Sequence, residues 1–585
     1  MHIFQIIKTR IVYAIESLLE SKNSLEVSIE IPKNSEHGDV STNAAMVISK
    51  FCNDKPAERL VKIMREDEIL SDIIRDFTIA GPGFINMYFK EEVLHKFLFT
   101  LQTLQWKAFE SDLNIGKNKK INIEFVSANP TGPMHIGHAR SAIFGDVMCR
   151  LFRACGFDVT AEYYMNDAGS QIDTLVKSLY IRYRQLLGDE ITIPDDCYPG
   201  EYLIDAAQKL KNERGDDLKK NDPYVREFAI NEMMSLIKSD LEKLRVKHDI
   251  FTSEAELVKH GMVEKAIKLL ESKGLIYYGT LEQPKGQTDD DWEPREQLLF
   301  ESTKYGDDSD RAILKSDGTY SYFASDVALH YDKLQREYSE LFLLLGADHA
   351  GYITRIRAAV KAMSDGKVNV NVIINQLVNI YKNGKPIRMS KRKGNFVTVD
   401  DLLNELSQDI LRFAMLTQKN GTVIDLDCDK LVEKSKDNPF FYIQYAHTRV
   451  CSILRNAYKS DICSENEIFI LEEKSEIKYF CEMNVDFSVL KTDLELNLIK
   501  LLVQFPRVIE LSVNHIEPHR IAYYLYELAN KLHSLWHAGV ESESMKCVIK
   551  ENILLSRARV ALVHSVALVI YYGLKIIGVK PLLEM

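Results

Sequence analysis

The sequence predicts an α/β chain: a central domain built on a parallel sheet, an α/β domain before it and an all-α helical bundle after it. Three observations predict this. Residues 121–126 alternate and are β-rich, 129–133 are turn chemistry, Ile143, Val147 and Leu151 recur at helical spacing, and 157–164 read as a second strand. Strand, turn, helix, strand is one βαβ unit, the connection parallel strands need. Residues 341–345 are a continuous apolar run, as in a strand buried on both faces. From about Asn438 helical periodicity dominates, ending in the apolar tract 560–574.

In order, residues 3–19 form an amphipathic helix and 25–31 alternate like a strand. His37-Gly38-Asp39 reads as a turn before a helix capped by Ser41 or Thr42. Residues 80–86 read as a turn running into a strand, and this first domain closes near residue 110. Lys117, Lys119 and Lys120 then make a solvated linker face. Gly156 stands where the βαβ helix stops in a left-handed residue. After Asp167 the chain is mainly helical to about 270. Its polar tract 188–222, with Pro194, Pro199 and Gly200, is an irregular elaboration that opens an insertion spanning about 188–285. Residues 288–331 return to strands and turns, with a hairpin at 316–321 feeding the helix that carries Asp326. Residues 372–381 predict one more strand, and 401–416 one helix. The domains are thus 1–110, 111–430 and 431–585.

Composition excludes several classes. A chain of 585 residues with 46% hydrophobic and 27% charged residues is folded rather than disordered. No basic segment followed by an apolar core opens it, so no signal peptide is expected. His564 and Ser565 interrupt the tract 560–574 and Lys575 ends it, which makes it short for a membrane span, and no membrane partner is expected. The nine cysteines contain no C-x-x-C pair, which argues against zinc and against a disulfide framework and fits a reducing cytoplasm. No metal-ligating set stands out. With a net charge of −11, any RNA must be met by a local basic patch.

The chemistry concentrates in Ser127-Ala128-Asn129-Pro130-Thr131-Gly132-Pro133-Met134-His135-Ile136-Gly137-His138, at a turn-to-helix junction. A helix N-terminus offers free N–H groups and partial positive charge to a phosphate. His135 and His138 add donors, and Gly137 lets a nucleotide approach the backbone. The strand 341–345 delivers Asp348 and His349 at its carboxyl end, where open parallel sheets bind ligands. Further on, Lys385 to Asn395 contains Arg388-Met389-Ser390-Lys391-Arg392, a basic, glycine-ended loop suited to a polyanion.

The His-x-Gly-His stretch resembles the first signature of class I aminoacyl-tRNA synthetases, and the preceding Glu124 and Ser-x-Asn step resemble the arginyl version. The Met-Ser-Lys core resembles the second signature, with Arg388 where the family has lysine and Arg392 where it has serine. Residues 31–45 and 80–86 resemble that family's N-terminal additional domain, which contacts the tRNA elbow. Residues 409–412, 439–449 and 578–585 resemble its linking segment, its anticodon-binding domain and its C-terminal end. The resemblance implies a Rossmann-like catalytic domain. Two other readings remain: a nucleotidylyltransferase, since that wider group also uses His-x-Gly-His, and a non-catalytic tRNA-binding paralogue.

The resemblance further implies that L-arginine attacks the α-phosphorus of ATP to give arginyl-adenylate and pyrophosphate. A ribose hydroxyl of tRNA(Arg) then takes the arginine. It implies that His135, His138 and Lys391 are catalytic. ATP would be held by His135, Gly137, His138, Arg388, Met389, Ser390, Lys391 and Arg392. Arginine would be held by Glu124, Tyr322 and Asp326 at the guanidinium, because carboxylates accept its planar fork. Ser127, Asn129, His135 and Asp348 would hold the amino-acid end. Tyr442, Tyr445 and Arg449 would contact tRNA bases by stacking. Mg2+ enters with ATP, the enzyme acts as a monomer, and adenylate formation needs tRNA.

Overall fold

Why the βαβ unit lies at the centre is visible in the sheet it seeds. In the computed structural model, which describes residues 3–19, 25–32, 34–52, 54–219, 221–281, 295–387 and 397–585, the chain divides into two units. The unit Gly116–Glu433 contains five parallel strands: β1 (Lys120–Glu124), β2 (Asp158–Met165), β3 (Ile250–Ser253), β4 (Glu340–Gly346) and β5 (Asn369–Asn375). Their order is β5-β4-β1-β2-β3. Ile121, Ile123, Leu341 and Leu343 are buried, as expected of strands covered on both faces. The chain leaves β1 towards β2 on one side, and β4 pairs with β1 on the other. The strand order therefore reverses at β1, and its carboxyl end opens the crevice where a ligand binds.

Helix α1 (Ile136–Ala154) makes the crossover from β1 to β2. It packs so closely that a Cβ at Gly145 would stand 2.2 Å from the Phe125 ring. Gly156 follows its end at φ +77°, a conformation that favours glycine. Three further helices border the carboxyl edge: α2 (Glu254–Lys259), α3 (Tyr322–Gln335) and α4 (Ile353–Met363).

Several elements differ from expectation, each for a local reason. The strand expected at 372–381 is two, β5 and Val378–Lys382, the latter in a separate sheet beside Ile424–Asp427. Buried Arg140 of α1 holds the break by donating to the carbonyls of Gln376 at 2.8 Å and Leu377 at 3.2 Å. The helix expected at 401–416 is also two, Val399–Glu405 and Gln408–Met415, because the Ser407 side chain caps the second. The tract 188–222 contains the helix Tyr202–Arg214, whose Leu203, Ala206, Ala207 and Leu210 are buried. The edge strand β3 lies in a stretch that reads as helical.

The second unit joins Met1–Ile115 to Lys434–Met585. Its N-terminal part is a four-stranded antiparallel sheet with the helix Ile3–Leu19 packed on the helix Pro56–Glu66. Ser41 and Thr42, expected to cap a helix, belong to the strand Val40–Thr42, and the helix that follows begins at Ala44. Gly38 is required at its turn: φ is +88° and a Cβ would meet Met87 O at 2.7 Å. The C-terminal part is a bundle of the helices Pro439–Lys459, Asp493–Asn514, His519–Glu541 and Ile553–Ile577. The last is long and apolar enough to cross a membrane, yet 89% of its most apolar window is buried in the protein. Buried Arg559 pairs with buried Glu495 at 2.7 Å across the bundle.

Candidate active site

His135 is the N-cap residue of α1, in extended conformation. Its Nδ1 accepts the Gly137 N–H at 3.1 Å, and His138 Nδ1 accepts the His135 N–H at 3.4 Å. The two rings stack with centroids 3.7 Å apart. Because both Nδ1 atoms accept, each neutral ring carries its proton on Nε2, as a phosphate-binding donor must. Gly137 makes this geometry possible: a Cβ there would stand 3.1 Å from His135 Cε1. Asp240 holds the approach by accepting the Met134 N–H at 3.0 Å. Burial, with the charge of Asp400 adding to it, pushes the Asp240 carboxyl up to about 6. Met134 O accepts from Val399 N at 3.0 Å, and His135 bridges Thr398. The chain just after the basic loop is thereby stitched to the histidine turn. Arg388, Met389, Ser390, Lys391 and Arg392 themselves lie outside the described residues.

Beside this turn the carboxyl edge of the sheet is acidic. Glu124 ends β1 and is buried. Its Oε1 accepts from Ser127 Oγ at 3.2 Å, and its Oε2 takes an ion pair from Lys333 Nζ. Asp326, half-buried on α3, is pushed up to about 7 by burial and by the negative charges of Glu124 and Glu254, with Arg355 opposing. Tyr164, on β2, is raised by burial and by the neighbouring Glu254, Asp326 and Glu124. Asp167 sets Glu254 in place: it accepts from Ser253 Oγ at 2.5 Å and from Ala255 N at 2.9 Å at the start of α2. Three carboxylates and a phenol thus act on one another, an arrangement made for a cation.

The other expected site residues are placed less uniformly. Ser127 has φ +40°, and its Oγ also accepts the Tyr164 N–H at 3.1 Å, so it joins Glu124 to the acidic group. Asn129 donates to Gln171 Oε1 at 2.8 Å. Asp348 lies in the 3-10 turn Ala347–Tyr352 directly after β4, and its side chain is outside the described residues. Tyr322, expected beside Asp326, opens α3 with 72% of its side chain's surface exposed, so its ring is not part of the buried group. Sequence reasoning missed Glu254, Tyr164 and Lys333. Glu254 follows the edge strand that went unrecognised, and Lys333 is hidden in the periodicity of α3.

In the bundle, Tyr442, Tyr445 and Arg449 share one face of the helix Pro439–Lys459. The Tyr442 ring packs 4.4 Å from His533 and 5.2 Å from Tyr526. The Arg449 guanidinium lies 4.9 Å from the Trp536 ring and donates to His533 Nδ1 at 3.0 Å. Burial lowers His533 to about 4, so it is a neutral acceptor. Tyr445, Arg449 and Arg455 border an open groove of about 360 Å³. Aromatic faces beside cationic groups are the side chains on which unstacked bases can stack.

Comparison with known proteins places these features in a family. Residues 101–435 match the model described as tRNA synthetases class I (R), catalytic domain. Residues 5–89 match the arginyl tRNA synthetase N terminal domain, and 443–585 the DALR anticodon binding domain. The chain is 45% identical to the arginine–tRNA ligase of Wolbachia sp. subsp. Brugia malayi over 588 residues, covering all of both chains. It is 45% identical to that of Rickettsia bellii over 593 residues, again covering both. The solved Thermus thermophilus arginyl-tRNA synthetase superposes with a TM-score of 0.69 over the whole of both chains; at 18% identity that likeness concerns the fold.

Proposed function

This chain belongs to the arginyl-tRNA synthetase family of class I aminoacyl-tRNA synthetases, and from that premise we propose how its own residues carry the reaction. It is an arginine–tRNA ligase: it activates arginine with ATP and transfers it to tRNA(Arg). Relatives that match it end to end carry this activity, which favours it over a nucleotidylyltransferase or a non-catalytic paralogue.

In the proposed mechanism, the carboxylates of Asp326, Glu254 and Glu124 meet the cationic groups of arginine. The observation that supports this is the gathering of Glu124 at the end of β1, Glu254 at the start of α2 and Asp326 on α3, where burial and the other two charges push the Asp326 carboxyl up. Ser127, Asn129 and Asp348 border the amino-acid end, and Tyr322 covers the guanidinium from the exposed rim. The Nε2–H groups of His135 and His138 and the start of α1 hold the phosphates of ATP. Lys391 follows charge onto the leaving pyrophosphate, with Gly137, Arg388, Met389, Ser390 and Arg392 completing the nucleotide contacts. Catalysis is then positioning and electrostatic stabilisation, with no covalent intermediate on the protein. Mg2+ arrives on ATP, bound mainly by phosphates and water.

Domain roles follow the same reading. Residues 1–110 contact tRNA, 111–430 with the insertion at about 188–285 carry the chemistry, and 431–585 read the anticodon through Tyr442, Tyr445 and Arg449. The protein works as a monomer in the cytoplasm, where its nine free, buried cysteines stay reduced. Thr398 and Val399 are bonded to the histidine turn, which supports a reading in which tRNA docking completes the ATP site. The test is arginine-dependent ATP–pyrophosphate exchange with and without tRNA. Exchange only with tRNA is expected. Exchange without tRNA overturns the coupling, and no exchange under either condition overturns the mechanism.

A further inference from the structure

We propose that Lys333 is a positioning residue for arginine recognition: buried behind Glu124, it fixes that side chain and offsets part of its charge, so that Glu124 meets the substrate's cationic groups together with Asp326 and Glu254. The inference rests on the reading of the acidic group as the arginine pocket.

Lys333 is fully buried, with 0% of its side chain exposed. An ammonium so placed persists only where carboxylates surround it. Its Nζ pairs with Glu124 and lies 3.9 Å from Glu162 Oε2. Glu162 is held in turn by Arg336 at 2.8 Å and by Asn122 Nδ2 at 2.6 Å. Burial would raise the Glu162 carboxyl, but the charge of Lys333 and the hydrogen bond from Arg336 bring it down to about 2. Glu124, Lys333, Glu162, Arg336 and Asp332 therefore form a run of alternating charge behind the sheet edge, and the anion at one end, Glu124, also reaches the pocket. With Ser127 on one oxygen and Lys333 on the other, Glu124 has a fixed orientation.

Asp326, His330 and Lys333 recur at i, i+4 and i+7 on α3. Burial and the Lys333 charge lower His330 to about 3, so its neutral ring donates Nδ1–H to the Asp326 carbonyl at 2.7 Å. The groups acting on Asp326 are Glu124 from β1, Tyr164 from β2, Glu254 from α2 and Arg355 from α4. Without Lys333, three carboxylates would crowd one another with Arg355 as the cation opposing them. The pocket would then take a proton from solvent before it takes a substrate.

The test measures equilibrium binding of labelled arginine to the full chain across pH 6–9, with the Michaelis constant for ATP alongside. Lys333→Met is expected to weaken arginine about tenfold at pH 7 and to move the acid limb of binding to higher pH. ATP should stay within about twofold, and Lys333→Arg should restore arginine binding. Because Lys333 acts through Glu124, the same change in a Glu124→Gln background should alter arginine binding less than about twofold. That double variant removes both charges together and keeps the test open should Lys333→Met alone fail to fold. Wild-type arginine binding in Lys333→Met, or equal loss in both backgrounds, overturns the proposal. If Glu124→Gln alone leaves arginine binding unchanged, the pocket reading falls, and the role of Lys333 with it.

Discussion

Replacing Asp326 by asparagine separates binding from stability in a way few other residues allow. In the free protein the carboxyl titrates at about 7 instead of 3.8. On the proposed mechanism arginine binds the ionised form, so protonation should weaken apparent affinity about twofold at pH 7 and about tenfold at pH 6. At pH 8 the full charge pair is available. Asp326→Asn breaks it at a loss of ~3–5 kcal/mol, a fall in arginine affinity of about a hundredfold or more. The variant also loses the acid limb, so its deficit relative to wild type shrinks as pH falls. The stability effect runs the opposite way. A carboxyl whose folded pKa is raised holds a proton that the unfolded chain has already lost, so the free protein loses stability as pH rises from about 4 to about 7. At pH 8 that strain is at most about 4 kcal/mol, and asparagine relieves it, so the unliganded variant should melt higher than wild type. Labelled arginine in equilibrium dialysis at pH 6, 7 and 8, with a melting curve at each pH, reads all three effects. Unchanged arginine affinity in the variant at pH 8, or a flat wild-type profile from pH 6 to 8, would refute the reasoning.

At the nucleotide end, Gly137→Ala should push the His135 ring off the Gly137 N–H. ATP should weaken by roughly 1 kcal/mol, about fivefold in its Michaelis constant, while arginine binding in dialysis stays unchanged. Lys391→Ala should lower kcat and kcat/KM together, because it acts on charge that develops in the transition state; a loss confined to the Michaelis constant of ATP would place its contact in the ground state instead. In the bundle, Arg449→Ala removes both the cation over Trp536 and the donor to His533. The Michaelis constant for tRNA should rise by ~1–3 kcal/mol equivalent while arginine binding is untouched, and a defect in arginine binding would contradict the assignment.

How much was legible depended on how local the signal was. The βαβ unit, the buried strand β4 and the bundle declared themselves because periodicity and turn chemistry lie within a few residues of one another. The histidine turn was legible for the same reason. β3 was not, because four residues at a sheet edge carry too little pattern to outweigh the helices flanking them. Glu254 went unseen with it. Lys333 was invisible for a different reason: in a helix its spacing is ordinary, and only the fold brings it to Glu124, 209 residues away. Tyr322 shows the reverse case, a residue assigned by resemblance whose ring the fold leaves in solvent.

The central claim is that this chain charges tRNA with arginine and that its acidic pocket makes the choice. Total tRNA incubated with the protein, ATP and each amino acid in turn tests it most directly. The account predicts charging with arginine alone, abolished or strongly reduced in Asp326→Asn at pH 8 with lysine no better a substrate. Charging with a different amino acid, or undiminished charging by the variant at limiting arginine, would contradict it.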